Sequence, residues 1–202
     1  MKKAALALLI GLVGCAAPSP APEDHFYRLP AADAGHCNGQ LTADTLRVAA
    51  FRTDGLLHER GIVYSDSNDS VELKKHDYHL WQQAPADLVR DHLLNYLRDC
   101  QTAATVTRAA DVPAEFVIAG YLGEFMQFGK AGPEYVVVTL ELQLRHGAQA
   151  RPLLVKTYSE REPVSDAAMP ALVNAFGRAL ERVYERFLAD ARPVASERLR
   201  QE

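Results

Sequence analysis

The sequence predicts an α+β fold, a two-layer sandwich in which a mostly antiparallel sheet carries two main helices on one face. Three observations predict it. Residues 135–146 alternate, with Val136, Val138, Leu140, Leu142 and Leu144 set against Val137, Thr139, Glu141, Gln143 and Arg145; a period of two gives a strand one buried and one wet face. Two other stretches, one after Pro85 and one after Asp166, repeat apolar residues at helical spacing. The chain order of strands, a helix, more strands and a closing helix is that of an α+β domain.

Taken in order, strand character falls at 26–29, 45–51, 61–65 and 71–78. Asp66-Ser67-Asn68-Asp69-Ser70 is turn chemistry, so 61–78 reads as a hairpin. The first helix runs from Pro85, where a missing amide donor costs nothing, to about Cys100. Its broad apolar face holds Leu88, Val89, His92, Leu93, Tyr96, Leu97 and Cys100. Strands follow at 104–108 and 115–128; Gly120, Gly123 and Gly129 in or beside the latter suit bulges or a close backbone approach. His146-Gly147-Ala148 reverses the chain between the 135–146 strand and another at 151–160. The second helix spans about 166–191, with Pro170 in its first turn and Met169, Leu172, Val173, Phe176, Leu180, Val183, Tyr184 and Phe187 on its apolar face. The domain is expected over 26–192, and a polar, frayed tail over 193–202.

The N-terminus carries an address. Lys2 and Lys3 precede an apolar run from Ala4 to Val13, too short to span a bilayer, and Gly14-Cys15 follows at once. This pattern resembles the lipobox of bacterial lipoproteins: residues 1–14 are a signal peptide and Cys15 is the site of lipid attachment. Ala16, in place of an aspartate, resembles an outer-membrane address, which puts the chain on the periplasmic face of that membrane. Residues 15–25 form an acylated tether whose Pro-rich run, 16–24, could hold the domain up to about 28 Å from the membrane.

Loss of residues 1–14 leaves 20 basic against 26 acidic residues, a net charge of −6. Such a chain lacks the basic stripe that nucleic acid requires. It also lacks a polybasic route to anionic headgroups, so the membrane anchor must be the acyl chains. Cys37 and Cys100 leave two readings open. In an oxidising compartment they suit a disulfide, worth about 4 kcal/mol on the chain-entropy model; otherwise they are separate thiols, Cys100 filling a helix face.

Catalytic signatures fail in turn. There is no GxSxG elbow, Walker pattern or HExxH, so no enzyme, cofactor or metal is expected. His76 and His79, three apart in a strand, should point to opposite faces. His58-Glu59-Arg60 are consecutive and do not converge. Phe125, Met126 and Phe128, beside Gly129-Lys130-Ala131-Gly132-Pro133, are either core or an exposed lip for a protein or lipid partner.

A family pattern then emerges from motifs in order. Phe26-Tyr27-Arg28-Leu29-Pro30 is followed by Leu46-Arg47-Val48, by Gly55-Leu56-Leu57-His58-Glu59-Arg60-Gly61-Ile62-Val63-Tyr64-Ser65, and by Tyr78-His79-Leu80-Trp81-Gln82-Gln83-Ala84-Pro85. Behind a lipobox, these resemble the ABC-type transport auxiliary lipoproteins over about residues 26–190. Ala84-Pro85 departs from the proline pair common in that family. The resemblance implies a non-catalytic component, without cofactor, of a system moving lipids between inner and outer membranes. Its implied partners are ABC transporter components, an MCE-domain protein and further copies of itself as a homo-oligomer. The competing expectation is an assembly or plug factor for an outer-membrane β-barrel machine. Within the family reading Trp81 plugs the sheet-to-helix junction, and Glu59 and Arg60 pair across a subunit boundary or face solvent.

Overall fold

The computed structural model describes residues 22–33, 35, 37, 39–67, 70–129, 134–147, 149 and 151–201. Among these residues nine strands and two α-helices follow the chain as β1 (His25–Tyr27), β2 (Thr45–Val48), β3 (Arg52–Thr53), β4 (Gly61–Ser65), β5 (Lys74–Trp81), α1 (Pro85–Asp99), β6 (Thr105–Thr107), β7 (Phe116–Phe128), β8 (Tyr135–His146), β9 (Leu154–Pro163) and α2 (Met169–Leu199). The class is α+β, as the sequence predicts. No helix among the described residues is long and apolar enough to cross a membrane.

β7 is the axis of the sheet. One edge pairs antiparallel with β8 along its whole length, from Phe116 opposite His146 to Phe128 opposite Tyr135, and β8 pairs antiparallel with β9. The other edge is shared by three short strands, all parallel to β7: β2 at its start, β3 at its middle and β4 at its end. Residues 45–65 thus act as one interrupted strand, thrown outward by the 3-10 turn Gly55–His58. β6 extends the sheet beyond β2, while β5 and then β1 extend it beyond β4. The sheet is therefore mixed rather than mostly antiparallel along this edge, because its partners arrive from far away in sequence.

The alternation in β8 sets the core. Val136, Val138, Leu140, Leu142 and Leu144 are fully buried beneath the helices, and the odd positions are half-buried on the opposite face. A β-bulge between Leu122 and Glu124 shifts the phase of β7. Before it, Phe116, Ile118 and Leu122 are buried; beyond it, Phe125 takes the inward position. Phe125 packs on Phe176 of α2 with ring centroids 4.2 Å apart, and Trp81 lies against both rings at 5.2 and 5.4 Å. Trp81 is thus where the sheet, the start of α1 and α2 meet.

Every residue assigned from the sequence to the α1 face is buried. α2 departs from expectation at its end. It continues through Pro193 to Leu199, and Ala195 is fully buried. The expected frayed tail from residue 193 is corrected: packing of Ala195 and Leu199 on the core holds the last turns despite the amide that Pro193 lacks.

Candidate functional site

Of the residues singled out in the sequence, Cys15 lies outside the described residues. Cys37 and Cys100 are disulfide-bonded, with Cα atoms 5.3 Å apart, so the segment before β2 is tied to the end of α1. Phe125, Met126 and Phe128, read as either core or an exposed lip, fall on the core side. Phe125 is 1% exposed and Met126 7% exposed, and Phe128 is half-buried with its ring stacked on Tyr135. The bulge is the reason, since it turns Phe125 into the core while Met126 lies between Val63 of β4 and Val137 of β8. His58, Glu59 and Arg60 are exposed. Glu59 accepts from Lys75 at 2.6 Å, and the Arg60 guanidinium sits 5.2 Å from the centre of the Phe26 ring.

His76 and His79 overturn the strand rule. The β4–β5 register slips between Gly61 and Val63, and Tyr78 adopts φ 60°. That left-handed residue reverses the alternation, and the two imidazoles meet edge-on at 6.3 Å. His79 also stacks on His25 at 5.3 Å, and its Nδ1 lies 2.9 Å from the Tyr27 hydroxyl. His76 Nε2 lies 2.7 Å from Gln127 Oε1. Burial lowers the pKa of His79, and the neighbouring His25 lowers it further. No cluster of three or more His, Cys, Asp or Glu among the described residues is arranged to hold a metal ion.

Two further groups escaped the sequence reading. On the β9–α2 side, Arg178, Arg182 and Arg186, each four apart and so on one helical stripe, interleave with Glu160 and Glu162. Arg178 Nε donates to Glu162 at 2.6 Å, and Arg182 bridges both glutamates. Burial pushes the Glu162 pKa up, but hydrogen bonds from Arg178 and Arg182 outweigh it and the net shift is downward. Arginines at i, i+4 and i+8 were the available signal, but their glutamate partners come from another element.

The second group is a pin at His92 in α1. Its Nε2 donates to the Pro30 carbonyl at 3.1 Å, and its Nδ1 lies 3.3 Å from the Tyr184 hydroxyl, which donates to the Val89 carbonyl at 3.2 Å. Burial lowers the His92 pKa to about 4, against the opposing pull of the Pro30 carbonyl. Pro30 rests on Gly177 of α2, where a Cβ would come within 2.7 Å of its ring. A cleft of about 640 Å³ opens beside the pin, lined by Arg28, Gln83, Asp91, Asn95 and Arg98 among others. Asp91 in its wall is held by Arg90 and Arg108. A second cleft, of about 580 Å³, lies between β3, the 3-10 turn and the start of α1, where Tyr121 donates to Asp54 at 2.7 Å.

These features define a two-layer α+β domain in which charged and aromatic groups join one structural element to another. Its sequence matches the ABC-type transport auxiliary lipoprotein component over residues 27–187, and the chain belongs to that family. Among solved structures it is similar to a Xanthomonas campestris protein of the DUF330 family, at 17% identity and a TM-score of 0.74, covering 87% of this chain and 99% of that one. It is also similar to an uncharacterised protein at 15% identity and a TM-score of 0.67, covering 84% and 99%. These likenesses show the fold. No curated protein matches the sequence.

Proposed function

We propose that this chain is a non-catalytic auxiliary component of an ABC-transporter/MCE-type system that moves lipids between the inner and outer membranes. It is held by acyl chains on Cys15 at the periplasmic face of the outer membrane and works as a homo-oligomer beside an MCE-domain protein. The observation that carries this reading is the family match across residues 27–187, which spans the folded domain but for the start of β1 and the last turns of α2. The lipobox at Gly14-Cys15 and the Ala16 that follows it support the anchor and its address. The way polar groups are used supports an auxiliary role: Glu160 and Glu162 are neutralised by arginines and His92 is held between two carbonyl-linked partners. Groups satisfied within the fold stiffen it rather than act on a substrate.

Crosslinking in intact cells, followed by purification of the acylated protein and mass spectrometry, tests this. Recovery of an MCE-domain protein with a ladder of self-crosslinks is the expected result. Recovery of a β-barrel protein alone would replace it with the assembly-factor reading.

A further inference from the structure

The geometry points to a membrane-contacting end of the domain, formed by Val71 and Leu73 in the turn before β5. We propose that these two side chains enter the lipid bilayer to which Cys15 is anchored. The proposal rests on that lipid attachment.

The argument begins with register. β1 pairs parallel with β5, His25 opposite His79, so the N-terminal end of β1 points toward the beginning of β5 at Lys74. Paired parallel strands begin at the same end of a sheet. The same end holds the close of β4 and β7 and the start of β8, since Tyr64 pairs with both Lys74 and Gln127, and Phe128 pairs with Tyr135. The start of β1 and the described residues of the turn, 66–67 and 70–73, therefore face the same end of the sheet.

Length comes next. From His79 back to Leu73 is about 20 Å of extended strand. The Pro-rich run from Cys15 to His25 can reach about 30 Å. An anchor at residue 15 thus clears the turn by about 10 Å at full stretch, and less when the tether is slack. The tether is long enough to let this end touch the membrane, and β1 begins on the side that faces this end.

The exposed side chains fit that contact. Val71 is fully exposed and Leu73 half-exposed, two apolar tips in a turn otherwise made of Asp, Ser, Asn and Glu. Lys74 and Lys75 follow immediately, and each holds an acidic partner, Asp66 and Glu72 for the first and Glu59 for the second. Lys74 and Lys75 offset two of the three charges on Asp66, Glu72 and Glu59, which lowers the cost of bringing the apolar tips to the acyl boundary.

A nitroxide spin label on Val71→Cys, with a second on Val155→Cys as control, decides the matter. Val155 is as exposed as Leu73 but lies at the other end of the sheet, where Leu154 pairs with Leu144. The full acylated protein is bound to vesicles of phosphatidylethanolamine and phosphatidylglycerol. Collision with oxygen, which concentrates in lipid, is compared with collision with a water-soluble nickel chelate. The expected result is a several-fold rise in the oxygen-to-nickel ratio at residue 71 on vesicle binding and no change at 155. A label at 71 that stays open to nickel on a bound, acylated protein overturns the proposal and leaves the anchor intact. A label shielded from both reagents also overturns it, because protein then covers the turn. An N-terminal peptide whose mass shows no acyl chains removes the anchor itself, and the proposal with it.

Discussion

The two edges of β7 are built on opposite plans. Toward β8 the strand meets a neighbour reached through a short reversal, and the ladder runs unbroken but for one bulge. Toward β2, β3 and β4 it meets three fragments that leave the chain between residues 45 and 65 and run parallel to it. Parallel partners cannot be joined by a tight turn; here β5, α1 and β6 intervene before the chain returns as β7. The first edge is specified by local chain, the second by contacts distant in sequence, whose loop-closure entropy must be met elsewhere. The Cys37–Cys100 disulfide encloses β2 to β5 and α1, which is nearly all of the distant edge.

The comparison can be broken most strongly at that disulfide. Reduction is expected to lower stability by about 4 kcal/mol, less if the reduced chain keeps residual structure; urea midpoints with and without reductant measure it. A loss within about 0.5 kcal/mol would mean that the distant edge needs no tie.

Acid should act next, through His92. This residue titrates near 6.5 when unfolded and at about 4 in the fold. Its neutral form is favoured by folding, so the stability it supports is full above pH 6.5 and drains away as pH falls toward 4, by about 3 kcal/mol. Stability measured across that window should slope less steeply in His92→Leu than in the parent protein.

Two glycines of β7 separate the edges directly. A Cβ on Gly120 would lie 2.8 Å from the ring of Phe51, on the distant edge. A Cβ on Gly123 would meet Thr139 of β8 no closer than 3.7 Å, an ordinary contact. Gly120→Ala should therefore cost about 1–3 kcal/mol. Gly123→Ala should stay within about 0.5 kcal/mol. Equal effects in thermal unfolding would contradict the assignment of the two edges. The smallest change is expected from Arg182→Ala, which removes the arginine shared by Glu160 and Glu162. Its head is partly solvated, so a loss of about 1 kcal/mol or less is expected, diminishing with added salt.

Legibility in the sequence follows the same division. β8 and both helix faces could be read because their periodicities are local, and Val136 to Leu144 are buried as the alternation requires. The direction of residues 45–65 could not, because nothing within the segment says which strand it will join. Phase was hidden wherever one residue interrupts a strand. The bulge beside Gly123 carries Phe125 inward, and the left-handed Tyr78 brings His76 and His79 together. The C-terminal turns of α2 were hidden by Pro193, a helix breaker that buried Ala195 outweighs. Of the candidate site, the lipobox reading rests on a contiguous motif that lies outside the described residues. The His92 pin and the arginine stripe were not legible, since each draws its partners from separate elements.

Trp81 is the sequence's one tryptophan, and it sits fully buried between Phe125 and Phe176, with no partner for its indole nitrogen among the described residues. An indole in such apolar surroundings emits at short wavelength, and the emission moves to the red when water arrives. The protein thus carries its own optical gauge at the point where both layers join. Loosening of α2 from the sheet would register there even while the β7–β8 ladder stayed closed.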